Sequence, residues 1–232
     1  MFPIKDTIRS RSFPIVNWLI ILANALVFLY ELSLSPVRLE RFVSIFGLVP
    51  VNFHLNNPLT WAPLFTHMFV HSGWFHILSN MWVLFIFGDN VEDRVGSGRY
   101  LIFYFIGGVA AGLAQTLINT GSTIPAIGAS GAIAAVLGAY FFFFPRAKVT
   151  TLILLIFIPW FVELPAVIFI GFWFVSQLFS GLAALSTASG AAMGGVAWWA
   201  HIGGFVAGLI LAGPFGAGRR PRRLYADEYY PY

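Results

Sequence analysis

Hydrophobic positions in this chain cluster into long runs instead of alternating with polar ones. A helix that crosses a bilayer needs about 20 apolar residues, and six stretches approach that length: 13–32, 71–87, 100–117, 130–144, 162–182 and 195–213. The second has histidines, Ser79 and Asn80 embedded in it, and the fourth is short. Residues 149–160 are apolar too, but Pro159, Glu163 and Pro165 punctuate the run toward the fifth stretch, and 149–182 is too long for one helix. Residues 149–160 are assigned to the cytoplasmic interface. The long connection 33–65, with Trp61 and several prolines, is expected to rest partly among the outer headgroups, where aromatic rings are favoured. The pattern predicts an all-α, polytopic bundle of six transmembrane helices. It forms a single domain over 1–232, with a leading segment 1–12 and a basic tail 214–232.

Composition agrees with the pattern. The chain is 59% hydrophobic and 9% charged, where soluble domains carry about 25% charged residues. It has no cysteine, which excludes disulfides and thiolate metal sites. Lys5, Arg9 and Arg11 ahead of the first apolar run resemble a signal peptide, but the run exceeds the usual h-region of roughly 7–15 residues. It is read as a retained first span. An even number of spans puts both termini on one side. That side collects 11 of the 13 basic residues, leaving Arg38 and Arg41 on the other. Positive charge marks the cytoplasmic side, so both termini are expected there. The tail RRPRRLYADEYYPY is read as a solvated segment beside anionic lipid.

Polar side chains at membrane depth are expensive, and are either satisfied structurally or functional. His76, Asn80, Ser130 and His201 are the outstanding cases, each in the outward half of its span. His76 and Asn80, at i and i+4, share a helix face. Together the set holds the parts of an acyl-transfer site. A serine hydroxyl needs an adjacent base, and histidines are the strong candidates within the spans. A tetrahedral intermediate needs donors for its oxyanion, which Asn, His or backbone N–H groups supply. Ser130 at a helix start adds free N–H groups. Glu31 is the sole acidic residue expected within the outer half of a span, and nothing links it to His201, so the chemistry would be a Ser–His dyad. Taken singly, each residue is bland. Serine between glycines, or a lone His or Asn, is a common helix-packing device. A metal site at His71 and His76 is disfavoured, because these residues stand five apart and lack the intervening acid of H-E-x-x-H. His67 and His71 are placed at the outer interface. No cofactor and no nucleic-acid partner is implied.

Three segments, HILSN (76–80), GASG (128–131) and AHIGGFVAG (200–208), resemble the motifs of the rhomboid intramembrane serine proteases, in the same order and on the corresponding helices. The stretch VEDRVGSGRY (91–100) agrees in position. The resemblance implies Ser130 as nucleophile, His201 as its base, and His76, Asn80 and the Ser130 N–H as the oxyanion hole. Gly128 joins the oxyanion and substrate-binding set. Gly131 and Gly138 on the fourth span, and Ala200, Gly204 and Gly208 on the sixth, would let those helices approach closely. One departure stands out. Some members place a tyrosine four residues after the nucleophile, where this chain has Ala134. His201 would then be held by Trp198, Trp199 or a water. Gln115 is read as a packing or interfacial residue, with a hydrolytic-water role as the lesser reading.

The implied substrates are transmembrane proteins in the lipid bilayer, with helices weakened near the outer face. Entry would fall between the second and fifth spans, under a cap formed by 183–194, with Phe172, Trp173 and Phe174 read either as bulky gate residues or as plain lipid contacts. The expected location is a prokaryotic plasma membrane. The competing expectation is a catalytically silent relative that binds membrane helices. A transporter would show inverted repeats or charged pathway residues, and neither is visible.

Overall fold

The long runs become helices in the computed structural model, which describes residues 1–155, 158–186 and 196–218. In chain order the elements are β1 (Phe2–Asp6), α1 (Ile15–Leu32), α2 (Pro36–Phe46), α3 (Pro63–Thr66), α4 (Trp74–Val95), α5 (Ser97–Ile118) and α6 (Ser130–Phe143). They continue with β2 (Lys148–Leu155), β3 (Ile158–Pro165), α7 (Ala166–Ser186) and α8 (Trp198–Gly216). Four helices, α1, α5, α7 and α8, are long and apolar enough to cross a membrane. Residues Pro58–Phe69, which include α3, pass the same test jointly with α4 across an 83° bend. α6 has 14 residues, so it rises only about 21 Å against a hydrocarbon core of roughly 30 Å. The expected six spans therefore meet four full-length helices, one broken pair and one short helix.

α1 shows what surrounds the bundle. Its buried residues are Asn17, Ile20, Asn24, Phe28 and Glu31, three or four apart along one face. Its exposed face carries Trp18, Leu19, Leu22, Leu26 and Leu29. Polar groups inside and leucines outside is the arrangement that a lipid surround requires. The buried polar groups are satisfied at the start of the helix. Glu92 of α4 accepts from the N–H groups of Val16 (3.1 Å) and Asn17 (2.7 Å) and from Ser97 Oγ (2.6 Å). Asn17 donates to the Leu84 carbonyl, and Tyr100 donates to Asn17 Oδ1.

α6 lies at the centre, against α5 and α8. Glycines make the approach possible. A Cβ on Gly204 would collide with the Gly131 carbonyl, one on Gly208 with the Ala135 carbonyl, and one on Gly138 with the Phe205 carbonyl. These are backbone contacts that no side-chain movement relieves, so the glycine pattern on both helices sets the separation between them.

The run 149–160, assigned to the interface, has a structure the sequence did not predict. It folds into β2 and β3, which pair antiparallel from Lys148↔Pro165 to Leu155↔Ile158. β1 adds to the other edge of β2. Val149, Thr150, Thr151 and Ile153 favour a strand, and two prolines within Ile158–Pro165 oppose a helix. The fifth helix accordingly starts at Ala166, not at 162. The leading segment is stitched to the bundle: Asp6 accepts from Asn90 and Tyr140, and Ser12 donates to Asp93.

Candidate active site

Ser130 opens α6, so the N–H groups of its first turn have no acceptor one turn back. His201 lies in the first turn of α8, which begins at Trp198. The close approach of α6 and α8 places His201 Nε2 at 2.8 Å from Ser130 Oγ. Both residues are partly accessible. The residues ahead of the serine bend sharply: Gly128 takes φ +111°, in the left-handed region.

That bend brings α4 to the serine. A Cβ on Gly128 would lie 2.5 Å from His76 Nε2 and 3.5 Å from Asn80 Nδ2. His76 Nδ1 accepts from the Ser72 N–H at 3.4 Å and contacts Ser72 Oγ at 3.1 Å. An accepting Nδ1 carries no proton, so in the neutral ring the proton sits on Nε2, directed at Gly128. His76 is thus a hydrogen-bond donor beside the serine loop.

His67 and His71, expected at the outer interface, are buried within the bundle. They are 4% and 3% exposed, and they brace the same loop. His67 donates from Nδ1 to the Pro63 carbonyl (2.7 Å), while its carbonyl accepts from the Gly128 N–H (2.9 Å). His71 Nε2 accepts from Asn80 Nδ2 at 3.1 Å and from the Ala129 N–H at 3.5 Å, and its Nδ1 donates to the Phe69 carbonyl. Glu31, without a link to His201, accepts instead from the His71 N–H. The sequence missed this buried bracket because His67 and His71 fall where the broken pair bends.

The second face of His201 was also missed. Its Nδ1 lies 2.8 Å from Oε1 of Gln177, on α7. Trp173 and Trp198 flank the imidazole, at 5.9 and 6.2 Å between ring centroids. Trp198 therefore touches the ring as expected, but the polar partner is Gln177. Ala134 is fully buried and offers the ring nothing. Gln115 accepts from the Ala200 N–H at 3.3 Å, in keeping with a packing role. Most of the expected cap, from residue 187 onward, lies outside the described residues.

The sequence has counterparts in known proteins. The Rhomboid domain family matches residues 58–217. The chain is 30% identical over 111 residues to Rhomboid-like protein 11, chloroplastic, of Arabidopsis thaliana, covering 48% of this chain and 39% of that protein. It is 33% identical over 105 residues to RHOMBOID-like protein 1 of the same plant, covering 45% and 25%. With Rhomboid protease GlpG of Salmonella newport (strain SL254) it shares 28% identity over 212 residues, which is 91% of this chain and 66% of that protein. In each case the chain spans less than two thirds of the relative's length. Because the domain match runs from before α3 to just past α8, well over half of the chain, this protein belongs to the rhomboid family.

Proposed function

We propose that this chain is an intramembrane serine endopeptidase, hydrolysing peptide bonds in or next to transmembrane helices of other membrane proteins. The observation that carries this reading is the 2.8 Å contact between Ser130 Oγ and His201 Nε2. It lies beside a protonated His76 Nε2, in a family whose relatives include a named protease.

Ser130 Oγ attacks the scissile carbonyl carbon as its proton passes to His201 Nε2. The carbonyl oxygen becomes an oxyanion, held by His76 Nε2–H, the Ser130 N–H and Asn80. Gly128 leaves the space in which these donors converge. The tetrahedral species collapses, and the imidazolium gives its proton to the leaving amine. A water, deprotonated by His201, then releases the acyl group from Ser130. Helical peptide bonds are shielded, so the substrate must unwind locally to present one.

Entry between α4 and α7 fits the packing. Phe87 and Phe169 stack toward the end of the bundle that carries the sheet. Nearer Ser130 both helices expose large apolar side chains, Phe75 and Leu78 on α4 and Phe172 and Phe179 on α7. The fitting topology has six crossings of a plasma membrane and cytoplasmic termini, with the site toward the outer face.

The test is labelling of the detergent-purified protein with a fluorophosphonate, comparing wild type with Ser130→Ala and His201→Ala, alongside cleavage of a model transmembrane helix. Labelling and cleavage by wild type alone support the dyad. A folded wild type that does neither leaves the helix-binding reading in its place.

A further inference from the structure

The geometry points to Gln177 as the positioning residue of the dyad: its amide oxygen holds His201 in the one neutral tautomer that can accept the Ser130 proton. This rests on the proposed roles of Ser130 and His201 and adds what orients the base.

The orientation of the amide follows from its other partners. Gln177 Nε2 donates to the Trp173 carbonyl at 3.1 Å and to Ser176 Oγ at 2.9 Å. Ser176 Oγ in turn donates to the Trp173 carbonyl at 2.6 Å. A flipped amide would set its oxygen against that carbonyl. Oε1 therefore faces His201 Nδ1, at 2.8 Å. An amide oxygen only accepts, so Nδ1 must carry the proton. In the neutral ring Nε2 is then bare and accepts from Ser130 Oγ, 2.8 Å away. The rings of Trp173 and Trp198 limit its rotation. Gln177 is 5% exposed and its amide oxygen is turned to His201, so it acts through that ring.

The choice of an amide has a physical basis. An orienting carboxylate would also stabilise the imidazolium, but it would have to be buried among apolar helices, which is costly for a charge. A neutral amide fixes the tautomer without that charge. That missing charge makes the role measurable. Among the described residues, the titratable side chain that acts electrostatically on His201 is His76 of α4. α5, α6 and α7 bring Gln115, Ser130 and Gln177 to this end of α8, and none of these ionises near neutral pH. A carboxylate at position 177 would thus be the one negative charge beside the ring.

The experiment measures the second-order rate of fluorophosphonate labelling against pH for the full chain in detergent, as wild type, Gln177→Met and Gln177→Glu. Thermal unfolding is followed in parallel. Methionine keeps the length of the side chain and removes the acceptor. Its labelling rate should fall about tenfold, the worth of one hydrogen bond, with little change in unfolding temperature. Glutamate restores an acceptor and adds charge. It should label faster than the methionine variant at its optimum, and its acid limb should move up by about one pH unit or more, because a carboxylate favours the imidazolium. If methionine labels within about twofold of wild type, Gln177 is a packing residue. Glutamate no faster than methionine, with an unmoved acid limb, also overturns the inference. Should the glutamate variant fail to fold, the methionine rate decides. A wild type that does not label at all refutes the dyad itself, and is told apart by occurring before any change at Gln177.

Discussion

At Gly128 the backbone takes φ +111° and the His76 ring closes over the α-carbon. A side chain there strains the turn by about 1–3 kcal/mol and drives His76 Nε2 away from the position proposed for the oxyanion. Gly128→Ala should therefore lower kcat for cleavage of a transmembrane peptide by about 100-fold, the usual loss for one oxyanion donor. Gly121→Ala, at a glycine with nothing within 4 Å of the added carbon, should leave kcat unchanged. Equal rates for both would remove His76 from the site. Ser130, His201, His76 and Asn80 were legible because their chemistry is expensive in an apolar run, so each demanded an explanation. Gln177 was not. A lone amide in a span looks the same whether it packs or orients, and its role depends on α7 meeting α8 at the height of His201. Nor did the sequence disclose that Gly128 needs a positive φ, or that the His71 ring would turn inward to Asn80.

Between elements, the α6–α8 contact holds Ser130 and His201 at hydrogen-bond distance. Gly208→Val would force its side chain into the Ala135 carbonyl, a backbone atom that cannot give way. Overpacking of this kind costs about 3 kcal/mol or more, and it should abolish fluorophosphonate labelling along with lowering the unfolding temperature. Gly213→Ala, on the same helix but in open space, should do neither. Glu92 joins α4 to the start of α1 and to Ser97. Glu92→Ala strands one buried and one partly buried N–H group and should destabilise the protein by about 3 kcal/mol, read as a lower denaturation midpoint and faster amide exchange at Val16 and Asn17. Unchanged exchange there would mean that the carboxylate does not hold α1. Helices and the small-residue spacing were readable because both are local periodicities. The sheet was not, since β1 and β2 pair across more than a hundred residues and a five-residue strand carries no periodic signal of its own.

Across the whole molecule, hydrogen bonds sort the element ends onto one face. The start of α1 meets the end of α4 through Glu92, which also meets the start of α5 through Ser97. Tyr140, near the end of α6, meets Asp6 of β1. Arg99, at the start of α5, caps the end of α8 at the Ala217 carbonyl (2.9 Å). Starts of α1 and α5 and ends of α4, α6 and α8 thus share a face with the sheet, and β3 leads directly into α7 there. The described basic residues other than Arg38 and Arg41 belong to segments at this same face, which is the charge asymmetry that sets orientation. The opposite face holds the start of α6 and therefore Ser130. Topology is testable because the chain has no cysteine: each engineered thiol reports alone. Gly121→Cys lies in an exposed turn next to α5, and Arg146→Cys in the exposed turn between α6 and β2. In intact cells a membrane-impermeant maleimide should label the first and spare the second until the membrane is opened. The reverse labelling would invert the bundle and turn the serine toward the cytoplasm. Labelling of both from outside would mean that α6 does not cross at all, and a 14-residue helix carries that question more sharply than any other element in the fold.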